Sequence, residues 1–432
     1  MNIVTAANIE AAGASLQLMP GQRLTPLARD RAKELGVQIV EAGSPTPAAQ
    51  TLPSSALATP VPASSPVARA PQEPEPTAGR AFAPLTSGAL YRRNAVGPQN
   101  AGGRSVHGAQ RPRRAAVVGA GHVGAVAALR LAESGLFDQV TIVDVVPGLA
   151  AGLALDMWHG ASLYGFATRL SGSDDLAALQ GSDYIIITAG KPRQPGMSRT
   201  DLTAGNAAIM QSVCTGIRTH APDATLVIVS NPLEEMTHLA AQYTGFDQRR
   251  VLGMAGVLDS ARFCALVGLT GKARPQDVRA LALGSHGPEM VIPLSQAFIG
   301  RAPIESVLDA ATLSGIVERT RESGGEVVKL LKKGSAYFSP AESAAAMVRM
   351  MASGSDETIA ACVRPEGAYG LTDARVGLPV RLGPRGLREI VPLPLRPAEL
   401  QALREAAARI AQRIAELAQL PAAPAPAPAI GA

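Results

Sequence analysis

The residues best suited to hold a phosphate are the glycines of a GxGxxG spacing, which follows a predicted apolar strand and opens a predicted apolar helix. The first glycine permits a tight turn, the second lets the backbone approach a pyrophosphate, and the third lets helix and strand pack closely. The N-terminal amides of the helix would face the anion. The pattern predicts a dinucleotide-phosphate site formed by Gly119, Ala120, Gly121, His122, Val123 and Gly124.

A carboxylate at the end of the next predicted strand bears on the choice of cofactor. Asp144 follows Gly124 by twenty residues, where a dinucleotide-binding fold holds the ribose hydroxyls. Its negative charge would repel a 2′-phosphate, and the next two residues, Val145 and Val146, offer no arginine to attract one. The sequence therefore favours NAD over NADP as the cofactor.

Further charged and polar residues lie on a predicted helix or follow predicted strands, at the edge where open parallel sheets bind ligands. Asp259 and Arg262 are three residues apart, which places them on one face of the helix. A histidine near its ordinary pKa can exchange a proton at neutral pH, and arginines can bind carboxylates. The candidates are Arg193, Arg199, Asn231, Asp259, Arg262 and His286.

Six segments in this order resemble malate dehydrogenases of the bacterial form closest to L-lactate dehydrogenase, and the resemblance covers residues 114–419. It implies an NAD-dependent oxidoreductase that transfers a hydride reversibly between malate and oxaloacetate. It also implies a homodimer or a homotetramer. The matching segments are GAGHVG, AGKPRQPGMSRTDL, VSNP, GVLDSARF, GSHG and GSAYFSP.

The resemblance also implies a role for each candidate residue. His286 would donate and accept the proton, and Asp259 would hold its other ring nitrogen. Arg262 would grip the substrate carboxylate, and Arg199 would polarise the reacting carbonyl within a lid formed by residues 191–202. Asn231 would hydrogen-bond the substrate oxygen. The remaining residues expected to line the cofactor site are Asn206, Val229, Ser230 and Asn231.

Arg193 bears on the choice of substrate. The malate members of the resembled group carry an arginine here for the second carboxylate, whereas the lactate members have an uncharged residue. Leaving a desolvated carboxylate without this partner would cost roughly 3–5 kcal/mol. Arg193 therefore favours oxaloacetate over pyruvate, and a lactate-type L-2-hydroxy acid dehydrogenase stays as the alternative.

The elements that must position these residues alternate between strand and helix from Ala115 to Val229, which predicts an α/β fold with a Rossmann-type doubly wound parallel sheet. Strands at 280–284 and 290–293 and helices at 308–331 and 341–351 then predict a mixed α+β substrate and catalytic subdomain. We expect the NAD-binding domain to span 114–257 and the catalytic domain to span 258–419.

The first 113 residues have a different character. Residues 1–42 predict a small module with a helix at 27–35, Gly36 after it and a strand at 37–40. Its segment LTPLARDRAKELGVQIV is similar to N-terminal stretches of some proteins of bacterial microcompartments, which implies an assembly or encapsulation tag. Ten prolines between Gly43 and Pro84 predict a disordered linker over 43–113, and residues 420–432 predict a frayed tail.

Charge and composition exclude several other classes of protein. Residues 1–113 contain 11 Lys and Arg and 6 Asp and Glu, which accounts for the whole net charge of +5 and argues against nucleic acid as a partner. We expect no bound metal, because acidic residues and histidines do not cluster at ligand spacings. Three separated cysteines and the absence of long apolar runs predict a cytoplasmic protein without a membrane partner.

Overall fold

The computed structural model describes residues 113–191, 199–332, 334–372 and 374–417. Within the first 41 residues it describes 3–4, 9, 15–18, 23–24, 28, 31–32 and 35–41. The predicted linker, apart from Arg113, and the predicted tail lie outside the described residues. The chain divides into two compact units, Met1–Arg80 and Ala81–Ala432.

The first unit contains two parallel strand pairs. Strand β1 (Ile3–Val4) pairs with β3 (Arg23–Leu24), and β2 (Ser15–Leu18) pairs with β4 (Gln38–Glu41). Gly36 has a φ of 66°, which suits the left-handed turn predicted after the helix. A small apolar cluster holds these elements together and consists of Val4, Ile9, Leu18, Ala28, Ala32 and Val37.

The second unit begins with six parallel strands. In chain order these are β5 (Arg114–Val118), β6 (Gln139–Val143), β7 (Arg169–Ser173), β8 (Tyr184–Ile187), β9 (Thr225–Ile228) and β10 (Val251–Gly253). Their order across the sheet is β7-β6-β5-β8-β9-β10, the 3-2-1-4-5-6 order of a dinucleotide-binding sheet. The predicted doubly wound parallel sheet is therefore confirmed.

Helices cover both faces of this sheet, which explains why a central strand such as β8 is apolar and buried at every position. In β8, Ile186 packs into one core, whereas Ile185 and Ile187 pack into the core on the opposite face. The helices of this half are α1 (His122–Glu133), α2 (Leu149–His159), α3 (Ala161–Tyr164), α4 (Arg199–His220) and α5 (Leu233–Thr244).

The second half contains short strands and long helices. Its strands are β11 (Val278–Arg279), β12 (Leu283–Gly284), β13 (Met290–Val291), β14 (Phe298–Ile299), β15 (Ala302–Pro303), β16 (Thr358–Val363), β17 (Val376–Gly383) and β18 (Gly386–Ile390). Its helices are α6 (Gly256–Gly268), α7 (Ala310–Leu331), α8 (Phe338–Ser353) and α9 (Pro397–Leu417).

Antiparallel strands of the second half extend the parallel sheet. Strand β16 pairs with β10, β17 pairs with β16, and both β12 and β18 pair with β17. Strands β12 and β13 lie within the strands predicted at 280–284 and 290–293 and pair in antiparallel orientation, although each is only two residues long. The mixed character predicted for this half is confirmed, and its division from the first half at residues 257 and 258 stays a prediction.

The described residues contain neither a helix suited to cross a membrane nor a metal-binding cluster. None of the helices there combines the length and the apolar character needed to cross a bilayer. In the same residues, no three side chains among His, Cys, Asp and Glu are grouped so that they could hold a metal ion.

Candidate active site

The glycine-rich turn between β5 and α1 has no room for side chains at two of its three glycines. Gly119 has a φ of 107°, and a Cβ there would lie 2.5 Å from Oγ1 of Thr188. A Cβ on Gly124 would lie 1.8 Å from the carbonyl oxygen of Gly119. These two glycines therefore let α1 start directly against the end of β5.

Gly121, the middle glycine, has open space around it. A Cβ at this position would meet no described atom within 4 Å. Gly121 is the N-cap of α1, and no described side chain hydrogen-bonds to the start of that helix. The first amides of α1 are thus available to an anion that approaches the backbone closely, which fits a pyrophosphate.

Asp144 lies at the end of β6 beside this turn. Its Oδ2 accepts a hydrogen bond from the Ala120 amide at 2.6 Å, and its Oδ1 accepts one from the Val146 amide at 3.0 Å. A carboxylate has lone pairs for about four hydrogen bonds, so it can still accept from two ribose hydroxyls. Since the Asp144 side chain is partly exposed, these lone pairs are accessible. The turn and Asp144 together fit NAD.

The candidate proton-transfer residues come together around a buried carboxylate. Nδ1 of His286 lies 2.8 Å from Oδ2 of Asp259, and Nη1 of Arg262 lies 3.1 Å from Oδ1. Asp259 and Arg262 belong to α6, and His286 lies in the loop that follows β12. Asp259 therefore contacts both partners, one with each oxygen.

The surroundings of His286 favour its charged form. Burial opposes the imidazolium, but the charge and hydrogen bond of Asp259 and the charge of Glu234 outweigh burial and the repulsion from Arg262. The net result is that the pKa of His286 is raised above its ordinary value of 6.5. Such a histidine can hold a proton at neutral pH and still release it.

Asn206 joins three segments that surround the predicted ligand site. Its Oδ1 accepts from the Lys191 amide at 2.7 Å, and its Nδ2 donates to the carbonyls of Lys191 and Asn231 at 3.2 and 2.7 Å. The buried Asn206 side chain is therefore engaged with the backbone. Ser230 has a similar bracing contact, because its hydroxyl donates to the Ala189 carbonyl at 2.6 Å.

The other predicted site residues differ in what the structure describes of them. Asn231 is exposed at the carboxyl end of β9, and Val229 is half-buried two residues before it. Arg199 is the first residue of α4. Arg193 and residues 192–198 of the predicted lid lie outside the described residues.

Two carboxylates beside the histidine loop were missed by sequence reasoning. Glu234, in the first turn of α5, accepts a hydrogen bond from the His286 amide at 2.6 Å. Glu289 accepts from the Ser285 hydroxyl at 2.9 Å. The consecutive glutamates that follow the Val229-Ser230-Asn231-Pro232 segment are a sequence signal that could have indicated the first contact.

Comparison with known proteins gives relatives over most of the second unit. The chain is 40% identical over 304 residues to the malate dehydrogenase of Chlorobium phaeobacteroides, covering 70% of this chain and 98% of that protein. The malate dehydrogenase structure from Salinibacter ruber matches with a TM-score of 0.68 at 35% identity, covering 71% of this chain and 98% of that one.

A lactate dehydrogenase structure is also similar. The enzyme from Cryptosporidium parvum, complexed with lactic acid and nicotinamide adenine dinucleotide, matches with a TM-score of 0.69 at 32% identity. The match covers 72% of this chain and 100% of that one. The fold alone therefore does not separate malate enzymes from lactate enzymes.

Two family models match in succession. Residues 113–253 match the NAD binding domain of lactate/malate dehydrogenase, and residues 256–420 match its alpha/beta C-terminal domain. The first match confirms the predicted cofactor, NAD. Residues 1–112 lie outside both matches. The chain belongs to the lactate/malate dehydrogenase family.

Proposed function

We propose that this chain is an NAD-dependent L-malate dehydrogenase that interconverts malate and oxaloacetate. The observation that carries the proposal is the buried Asp259, which contacts His286 with one oxygen and Arg262 with the other. This arrangement provides a proton donor and a carboxylate-binding group side by side. The chain matches a malate dehydrogenase over nearly the whole length of that relative, which supports malate as the substrate.

His286 would transfer the proton. Because Asp259 contacts Nδ1 at 2.8 Å, that nitrogen carries its hydrogen toward the carboxylate, and Nε2 is left to face the substrate oxygen. During reduction, Nε2–H of the imidazolium donates to the developing alkoxide. During oxidation, neutral Nε2 accepts the hydroxyl proton by the reverse step.

Arg262 would bind the carboxylate next to the reacting carbon. Its Nη1 contacts Asp259, and the planar guanidinium has further N–H donors that can form a bidentate pair with a substrate carboxylate. The ion pair with Asp259 also fixes where the guanidinium lies. The substrate would therefore be held at a defined position relative to His286.

NAD, when bound, accepts or supplies the hydride. The turn from Gly119 to Gly124 would hold its pyrophosphate, and Asp144 would hold its adenosine ribose. Asn206 and Ser230 would support the site by hydrogen bonds from their side chains to the backbone that follows β9 and β8, respectively. Asn231 and Arg199 would contact the reacting oxygen of the substrate.

Arg193 would bind the second carboxylate of oxaloacetate, which pyruvate lacks. The test is NADH consumption by purified wild-type chain and by Arg193→Gln with oxaloacetate and with pyruvate, repeated with NADPH. We expect the wild type to prefer oxaloacetate with NADH, and Arg193→Gln to lose two to three decades of that preference. A wild-type preference for pyruvate would instead support the lactate-type alternative.

A homodimer or homotetramer would cover an apolar surface on α2 and α3. Leu155 and Trp158 on α2 are 55% and 44% exposed, and Leu163 and Tyr164 on α3 are 66% and 53% exposed. Such a patch is typical of a protein interface. Light scattering should give a multiple of the chain mass for the wild type, and Leu155→Glu with Leu163→Glu should reduce it.

The N-terminal module would act as an assembly tag that recruits the enzyme to a larger particle, such as a bacterial microcompartment. Its support is that Met1–Arg80 forms a unit of its own and lies outside the family matches. Size-exclusion chromatography of the full chain should be compared with that of a chain starting near Arg111. Equal particle sizes and equal partner recovery would contradict a tag.

A further inference from the structure

Glu234 is a buried carboxylate at the start of α5 that the mechanism above does not use. It follows the Asn231-Pro232 end of β9 and is only 3% exposed. Removing a glutamate from water is unfavourable unless its charge is paired or hydrogen-bonded. Its partners therefore indicate what this residue does.

The main partner of Glu234 is the backbone of His286. The His286 amide donates to Oε1 of Glu234 at 2.6 Å, a short hydrogen bond to a carboxylate across 52 positions of sequence. Gly284, just before this loop segment, has a φ of 80° and lies on β12. The loop that carries His286 is thus fastened to α5 as well as to α6.

We propose that Glu234 is a positioning residue for His286, holding its main chain and placing a second negative charge beside it in addition to Asp259. This inference rests on the proposed function, since it assigns Glu234 a part in the same proton transfer. Asp259 acts on the ring from α6, and Glu234 acts on the backbone from α5. Two carboxylates therefore hold His286, one at its ring and one at its main chain.

The other charged groups around His286 are paired with one another, so Glu234 has a separate role. Arg262 on α6 is paired with Asp259 at 3.1 Å. Glu289 contacts Ser285 and Arg413 of α9, and Arg413 also pairs with Glu235 at 3.2 Å. These contacts bind the surrounding charges to one another.

The negative charge of Glu234 and the positive charge of the His286 imidazolium stabilise each other. Burial raises the pKa of Glu234, and the His286 amide hydrogen bond and imidazolium charge act in the opposite direction, while Glu235 adds to the rise. The pKa of the buried Cys362 thiol is also raised, first by burial and then by the charge of Glu234. Removing the charge of Glu234 should therefore make His286 release its proton more readily.

The test is the substitution Glu234→Gln, which removes the charge and keeps an oxygen that can accept from the His286 amide. Reduction needs protonated His286 and oxidation needs the neutral ring, so both kcat/KM profiles contain its ionisation. We expect the alkaline limb of reduction and the acid limb of oxidation to move to lower pH together, on the order of one pH unit. Limbs that stay in place would overturn the proposal.

Glu235→Gln is the matched control, because it removes a buried carboxylate from the same helical turn that pairs with Arg413 rather than with the His286 backbone. We expect its limbs to coincide with those of the wild type. Glu234→Asp keeps the charge with a shorter side chain, so its limbs should stay near those of the wild type while kcat falls. An equal shift in all three variants would indicate a general structural effect and contradict the proposal.

Histidine NMR provides a measurement that needs no substrate. His286, assigned by its absence in His286→Asn, should titrate above the ordinary value of 6.5 in the wild type and at a lower pH in Glu234→Gln. Equal titration midpoints in the wild type and Glu234→Gln would overturn the proposal. Absence of turnover with every 2-oxo acid would instead overturn the proposed function, and the titration would still report on Glu234.

Discussion

The two oxygens of Asp259 are divided between two functional partners, with His286 on Oδ2 at 2.8 Å and Arg262 on Oδ1 at 3.1 Å. Asp259 is 1% exposed, so little water competes for either contact. One carboxylate therefore orients both the proposed proton donor and the proposed carboxylate-binding group. A substitution that changes the position or the charge of Asp259 should therefore affect both His286 and Arg262.

Asp259→Asn should reduce kcat/KM for oxaloacetate by about two to four orders of magnitude. The amide is neutral, so it no longer stabilises the imidazolium, and its NH2 group can turn toward Nδ1 and favour the wrong tautomer. Steady-state kinetics with NADH measure the loss. Asp277→Asn is the matched control, because Asp277 has a partly exposed side chain that pairs with the exposed Arg274. A loss of less than tenfold in Asp259→Asn would contradict the relay.

The raised pKa of His286 predicts opposite pH dependence for the two directions of the reaction. Reduction requires the protonated ring, so its kcat/KM should be high below the raised pKa and fall as pH increases through it. Oxidation requires the neutral ring, so its kcat/KM should rise through the same pKa. Profiles measured in both directions should share one inflection above 6.5. An inflection at or below that value would contradict the environment described for His286.

The first half of the fold could be predicted because local pattern and tertiary structure agree there. The run from Tyr184 to Ile187 is apolar at every position, as a strand buried on both faces must be. The glycine spacing from Gly119 also determines where α1 starts. Strand, turn and helix are close in sequence, so a short segment contains most of the information needed to predict them.

The hairpin of β17 and β18 could not be predicted in the same way. Strand β17 contains Pro379, which pairs with Ala360 of β16, and a proline inside a central strand normally argues against a strand. Only the pairing with its neighbours makes β17 regular. Helix α9 was also missed, although its buried residues Leu403, Ala406, Ala407 and Ile410 recur at the three- and four-residue spacing of an amphipathic helix.

The grouping of Asp259, Arg262 and His286 agrees with the sequence analysis, whereas other contacts around them could not be predicted. Asp259 and Arg262 lie on one helical face by spacing alone. The hydrogen bond from the His286 amide to Glu234 joins residues that are 52 positions apart, and a repeating sequence pattern cannot indicate such a contact. Asn206 was predicted to line the cofactor site, and the structure shows its amide bound to the backbone of Lys191 and Asn231.

Arg262→Lys should raise the KM for oxaloacetate by about ten- to a hundredfold, with a smaller effect on the KM for NADH. Lysine keeps the charge but has a single ammonium group, which cannot form a bidentate pair with the substrate while also contacting Asp259. Initial rates over a range of both substrates separate the two KM values. Arg274→Lys changes an exposed arginine in the same way and should leave both values unchanged. Equal KM values in Arg262→Lys and the wild type would show that Arg262 does not bind the substrate.

Gly121→Ala and Gly124→Ala should separate cofactor binding from folding. A Cβ at Gly121 meets no described atom within 4 Å, and its φ of −67° suits alanine, so the melting temperature should stay unchanged. The same methyl group would obstruct an anion approaching the first amides of α1, so the Kd for NADH should rise at least about tenfold. Gly124→Ala would place Cβ 1.8 Å from the Gly119 carbonyl oxygen and should lower stability by on the order of 3 kcal/mol. NADH fluorescence titration and thermal unfolding measure the two effects, and unchanged NADH affinity in Gly121→Ala would contradict this site.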